Sequence, residues 1–340
     1  MSTPRARLGL IAAAVAGLGV LAYLVFYVGV GAVFAAVSKV GWGGFALICV
    51  IGLALFAILG GAWFTVVPAS SRPRFTTFIW GRAVRDSAAE VLPFSQVGGF
   101  VIGARAVTLR GVSAAMASAS TIVDVTTEMM AQIAYVLVGV AILIARVPKS
   151  QSSDRLANIA MIATVVGVLG AIGFVVVQKR GFAHVERLAS RFLPKAAAQA
   201  GALQGAMESI HAAPLRIFLS VCIHLLGWFA SAFAAYVIVR LMGVHVAYVS
   251  MVAIEALLCA IRSAAIIVPN ALGVQEAAYA MLMPLFGLSA PVGIALSLLR
   301  RARDIAMGIP ILLVWQAAEG GRMMRKEQPA DAHIGNGTTP

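Results

Sequence analysis

Residues 81–105, GRAVRDSAAEVLPFSQVGGFVIGAR, set Arg82, Arg85 and Arg105 together with Asp86 and Glu90 in an otherwise apolar chain. On a helix, Arg82, Arg85 or Asp86, and Glu90 fall at spacings of three, four and eight, which gathers them on one face. Guanidinium groups hold a polar or anionic head through forked hydrogen bonds, and carboxylates can exchange protons. A second set follows later in the chain: Glu255, Arg262 and Glu276, then Arg300, Arg303 and Asp304. Asp124 and Glu128 are four residues apart, as are Arg300 and Asp304, so each pair shares a helix face. Glu90, Glu255 and Glu276 are the candidates for proton coupling, because burial favours the neutral acid.

Other chemistry is sparse. There is no HExxH, GxSxG or Walker sequence. His184, His211, His224, His245 and His333 lack the spacing of metal ligands, and His224 alone stands well inside an apolar run. Cys49, Cys222 and Cys259 form no CxxC pair, so neither a metal nor a cofactor is expected.

The elements that must position these charges are apolar. Of 340 residues 61% are hydrophobic and 11% charged, against about a quarter charged in a soluble domain; the composition predicts an integral membrane protein. The net charge of +13 resides mostly in short connections, so it reads as leaflet orientation and not as nucleic-acid binding.

The expected fold is all-α and polytopic, with about six full spans at 8–30, 43–67, 113–145, 157–177, 214–240 and 289–316. Two further stretches, 75–110 and 246–287, are apolar but broken by Pro93 with Gly98 behind it and by Pro269 with Gly273 behind it. They read as re-entrant helical hairpins. Proline lacks an N–H and ends a helix, and glycine permits a tight turn. Broken backbone at membrane depth is tolerated only against protein or a wet cavity, so the breaks point to a cavity. Basic residues fall on the cytoplasmic side if Arg5 and Arg7 are inside and the two hairpins enter from opposite faces; both termini are then cytoplasmic.

Counting from the two prolines, Asp124 and Arg300 both lie 31 residues on, and Glu128 and Asp304 both 35 on. That register fits an inverted repeat, the plan of many transporters. The resulting organisation is one transmembrane domain over 1–326, with halves at about 1–178 and 214–318, an amphipathic cytoplasmic loop at 178–213 and a disordered tail at 327–340.

The arginine-bearing segment before LPFSQVGG, with Arg105, Asp124, VPNALGVQEAAY and an arginine-rich last span, resembles the flippase-like family typified by the membrane domain of lysylphosphatidylglycerol synthases. The fuller wording GRAVRDSAAEVLPFSQVGGFVIGARAV with DVTTEMMAQ is similar to its hopanoid biosynthesis-associated branch. The resemblance implies a bacterial inner-membrane protein that moves a membrane lipid, a hopanoid or a phospholipid, alongside other lipid-biosynthesis or export proteins. The chain ends soon after its last span, so no aminoacyl-transferring domain, and no enzyme activity, is expected. The alternative is a membrane-embedded factor in lipid biosynthesis, either an enzyme subunit or a scaffold.

Overall fold

A computed structural model describes residues 38–71, 74–91, 95–147, 161–162, 165, 194–265, 268 and 271–327. Among them there are nine α-helices and no strand. We label them α1 (Gly41–Val66), α2 (Phe75–Val91), α3 (Ser95–Thr108), α4 (Ala114–Arg146), α5 (Pro194–His211), α6 (Pro214–Leu241), α7 (Tyr248–Ala264), α8 (Val274–Leu285) and α9 (Ala290–Glu327).

Local chemistry sets these boundaries. Helix α1 stops where Val67, extended and followed by Pro68, cannot continue the helical path. The Ser113 hydroxyl caps α4 by accepting from the Met116 N–H at 3.3 Å. Pro214 opens α6, where its missing N–H costs nothing. At α8, Gly273 takes φ +75° and its N–H donates to the Glu276 carboxylate at 2.8 Å, so a buried acid caps the helix that carries it.

Helices α1, α4 and α6 are long and apolar enough to cross a membrane, and they coincide within a few residues with three of the expected spans. The expected span at 289–316 lies within α9, which is helical for 38 residues and carries Arg300, Arg301, Arg303 and Asp304 near its middle. The expected span 8–30 and nearly all of 157–177 lie outside the described residues. So does the basic stretch with Phe182, Val185, Leu188 and Phe192, whereas α5 docks onto the first half through buried Met207 and Ile210, which pack among Trp63, Phe78 and Met116.

Two runs of helices share one plan. Each has a long helix, two short ones and a long one: 26, 17, 14 and 33 residues for α1–α4, then 28, 17, 12 and 38 for α6–α9. Their packing is reciprocal. Helix α1 lies on α6, α2 lies on α9, and α7 lies on α4. What one half does to the other is returned in these three contacts.

The short pairs pack tightly. A Cβ at Gly99 would stand 2.6 Å from the Arg85 carbonyl and one at Gly103 2.7 Å from the Arg85 Cβ, so α2 and α3 run antiparallel in contact. Between the halves, a Cβ at Gly139 of α4 would come within 2.3 Å of the Ala256 Cβ on α7. Apolar side chains also face outward: Trp42, Val50, Leu215, Phe218 and Leu226 are exposed on α1 and α6. An apolar outer surface matches a chain solvated by lipid.

Candidate functional site

The opening charges of α2 meet α4 inside the first half. Arg85 donates to Asp124 Oδ2 at 2.6 Å and to Glu128 Oε2 at 2.6 Å. Arg82 binds both Glu128 oxygens, at 2.6 and 3.1 Å, and its Nε reaches Asp86 at 2.7 Å. Both arginines are about 95% buried, and Asp124 is fully so. The other Asp124 oxygen pairs with His224 Nε2 of α6 at 3.0 Å, while Thr127 and Ser220 hydroxyls meet at 3.0 Å one turn away. The Arg85 guanidinium also stacks over the Phe100 ring of α3, 4.4 Å from its centroid. Every carboxylate here faces a guanidinium, which is what makes charge tolerable at this depth.

The second half builds the counterpart around α9. Arg300 donates to Glu255 of α7 and to the Tyr279 hydroxyl of α8, at 2.5 and 2.8 Å, and Tyr279 donates to Glu255 at 2.5 Å. One residue on, and therefore turned about 100° around the helix, Arg301 donates to Glu276 at 2.7 Å. Ser297 donates to the same carboxylate and accepts from Gln275, each at 2.7 Å.

Between these networks lies a cavity of about 120 Å³, room for about four waters. Its walls come from both halves: Asp86 and Glu90 on α2, Arg262 on α7, and Arg300, Arg301, Arg303 and Asp304 on α9, with Phe56 and Gln275. Arg262 donates to Glu90 at 3.4 Å, joining the end of α2 to the end of α7. A second space of about 70 Å³ shares Asp86, Glu90, Arg303 and Asp304 with the first and continues along Gly52, Leu55, Leu59 and Met307. A polar chamber thus runs into an apolar cleft. Charge is divided across it: the first half contributes acids, the second mainly guanidinium groups.

Residues 10–311 match the model of the family described as the lysylphosphatidylglycerol synthase TM region. The chain belongs to this family. No curated protein matches it at a significant level, and no solved structure does either. Membership in the lysylphosphatidylglycerol synthase TM family and the apolar helices together make it a helical membrane protein. For a family member of this kind, charged groups buried between helices are the groups to examine first.

The cavity brings together Asp86, Glu90, Arg262, Arg300, Arg303 and Asp304, with Arg82, Glu255 and Glu276 holding its walls from behind. Arg85, Asp124 and Glu128 do not line it. Arg105 is not on the cavity wall: half exposed on α3, it pairs with Glu319 of α9 at 2.6 Å. Gly98 lies on α3, where Gly99 and Gly103 make the close approaches; Gly273 starts α8; Pro93 and Pro269 fall outside the described residues. Arg300 and Asp304 do share a helix, but their short bonds go elsewhere, Arg300 to Glu255 and Asp304 to Arg303 at 2.6 Å. Among the described residues no cluster of His, Cys, Asp and Glu has the form of a metal site.

Sequence reasoning missed Tyr279, Ser297, Gln275 and Arg301. Tyr279 stands three residues after Glu276, a helical spacing that marks a polar face, and Arg301 is the second of the four charges in LRRARD. His224 stands out in the sequence by its depth alone, for its partner lies 100 residues away.

Proposed function

We propose that this protein moves a lipid across or out of the bacterial inner membrane, the polar head passing through the charged cavity while the apolar part stays in the adjoining cleft and bilayer. The observation that carries this reading is the Glu90–Arg262 pair at 3.4 Å, which joins the ends of two helical pairs from opposite halves across a polar chamber. In this reading α2–α3 and α7–α8 are re-entrant hairpins entering from opposite faces, six spans surround them, both termini are cytoplasmic, and a pseudo-two-fold relates the two directions of access.

The substrate we assign is a hopanoid. Around the cavity, Arg82, Arg262, Arg300, Arg301 and Arg303 are balanced by Asp86, Glu90, Glu255, Glu276 and Asp304. A phosphate would have to displace a carboxylate from a guanidinium, whereas a small neutral head that both donates and accepts can bridge the acidic and basic walls as they stand. A polyhydroxylated hopanoid has such a head, and the resemblance to the hopanoid-associated branch agrees.

The test is hopanoid content of separated inner and outer membranes in a strain lacking the gene, complemented with wild type or with Arg262→Ala. Hopanoids made at the normal level but retained in the inner membrane, and not released by a variant that accumulates normally, are the expected result. Normal sidedness in the deletion strain refutes transport. Loss of one modified hopanoid, with no retention of the others, makes the protein a biosynthetic factor instead.

A further inference from the structure

Among the described residues, the charges of the two networks and the cavity do not cancel. Arg82, Arg85, Arg262, Arg300, Arg301 and Arg303 supply six positive charges, while Asp86, Glu90, Asp124, Glu128, Glu255, Glu276 and Asp304 supply seven negative ones. The imbalance has a definite place. Glu255 and Glu276 are matched by Arg300 and Arg301, Glu90 by Arg262, and Asp304 by Arg303. What remains is the layer formed by Arg82 and Arg85 against Asp86, Asp124 and Glu128, with two positive charges and three negative.

His224 adjoins this layer and is fully buried. With Asp124 ionised, Nε2 carries the hydrogen and donates to Asp124 Oδ1 at 3.0 Å, leaving Nδ1 as the basic nitrogen. Nδ1 has no hydrogen-bond partner among the described residues. From α4, Asp124 and Glu128 face the imidazole, the latter through its field, with Arg82 and Arg85 of α2 behind them. On α9, which also packs against α6, Arg300 and Arg301 are held by Glu255 and Glu276, and Arg303 by Asp304. The only ionisable side chain of α1 is Cys49, Glu255 of α7 is taken by Arg300, and Glu208 and His211 of α5 bond within their own helix.

We propose that His224 is the proton-binding site of the transport cycle, the proton adding to Nδ1 and leaving from it. Uptake gives an imidazolium and brings the set to neutrality; release restores the net negative charge. The change reaches the cavity through shared atoms. Asp124 holds His224 with one oxygen and Arg85 with the other, Arg82 bridges Glu128 and Asp86, and Asp86 lines the chamber. Releasing the proton strengthens the pull of Asp124 and Glu128 on both arginines and loosens Arg82 from Asp86, so the acidic wall sees the protonation state of a residue it does not touch. Glu90, Glu255 and Glu276, the candidates from sequence, are each engaged by a guanidinium, and His224 has a nitrogen to spare.

The inference rests on the transport reading, and two experiments separate their failures. In vesicles of phosphatidylethanolamine and phosphatidylglycerol containing the purified protein and a fluorescent hopanoid polyol, an imposed pH gradient should change the rate of translocation several-fold for wild type. His224→Gln, which keeps an N–H for Asp124 but cannot titrate, should abolish that gradient effect whatever its rate without a gradient. An equal gradient effect in His224→Gln overturns the proposal. If wild type translocates nothing, the transport reading fails. The second experiment then judges His224 alone: ¹⁵N-histidine spectra of wild-type protein in micelles, recorded over the pH range in which the fold holds. Movement of His224 Nδ1 from the bare to the protonated position supports proton binding. A ring that keeps one neutral tautomer throughout refutes it.

Discussion

Replacing Arg85 by Met removes both of its short bonds, to Asp124 and to Glu128, at a site about 95% buried. Glu128 keeps Arg82, which grips it at 2.6 and 3.1 Å. Asp124 does not fare so well: its remaining guanidinium contact is Arg82 at 3.5 Å, and its other partner is His224. Removing one member of a buried pair costs about 3–5 kcal/mol, most of it the desolvation of the charge left behind. If that reasoning holds, the cost belongs to Asp124 and vanishes with it. Arg85→Met alone should lose about 3–5 kcal/mol, while Arg85→Met with Asp124→Asn should lose less than about 2, because an uncharged pair in a buried site is often neutral or better. The assay is reversible unfolding in mixed detergent and dodecyl sulfate micelles followed by intrinsic tryptophan fluorescence, with the interaction energy read from the double-mutant cycle. A single variant that loses less than about 1 kcal/mol, or a double variant as weak as the sum of the singles, would show that Asp124 does not depend on Arg85.

Tyr279→Phe removes a donor to Glu255 and an acceptor for Arg300 in a fully buried site; a loss of about 1–3 kcal/mol is expected in the same unfolding assay. Gly139→Ala should cost about 1–3 kcal/mol by overpacking α4 against α7, and adding Ala256→Gly should restore most of it, since the obstructing atom is the Ala256 Cβ. Arg105→Ala breaks a half-exposed ion pair with Glu319 and should change stability by no more than about 1 kcal/mol, with hopanoid distribution unaltered.

Much of the fold was legible because lipid imposes simple rules on sequence. Helices α1, α4 and α6 were readable as apolar runs, and the short pairs as runs interrupted by proline, glycine and charge. The arginine-rich helix α9 was readable as a helix, but its charges hide whether it spans. Part of the cavity lining stands out in the sequence as well: Asp86, Glu90, Arg262, Arg300 and Arg303 are charged in an apolar chain, whereas Gln275 and Arg301 on the same walls were not singled out. Pairing was not legible. Nothing local directs Arg300 to Glu255 and Tyr279 in preference to Asp304, four residues along the same helix. That choice is made by α7 and α8 arriving on one side of α9 and α2 on another. His224 and Asp124 illustrate the limit, for a bond between residues 100 positions apart is a property of how α4 and α6 meet.

The matched spacing of the charges is also more informative in the structure than in the sequence. Asp124 and Arg300 occupy matching places in α4 and α9, yet their signs are opposite, and so are those of their partners: Arg85 on α2, Glu255 on α7. Each half holds both signs inside itself, but the walls differ: α2 presents acids to the cavity and α7 a guanidinium. This predicts the outcome of exchanging Glu90 and Arg262. Either single reversal, Glu90→Arg or Arg262→Glu, places like charges at the junction, and combining both restores an ion pair. Because both side chains are roughly a quarter to a third exposed, the pair itself is worth only about 1 kcal/mol or less; stability should dip slightly in the singles and return in the double. Hopanoid release should not return. In the double variant the new guanidinium on α2 stands beside Asp86 and the new carboxylate on α7 beside Arg300, so each wall neutralises itself and no longer presents one sign across the chamber. If the exchanged protein distributes hopanoids normally, the pair acts only as a latch and the division of charge across the cavity has no part in recognising the head.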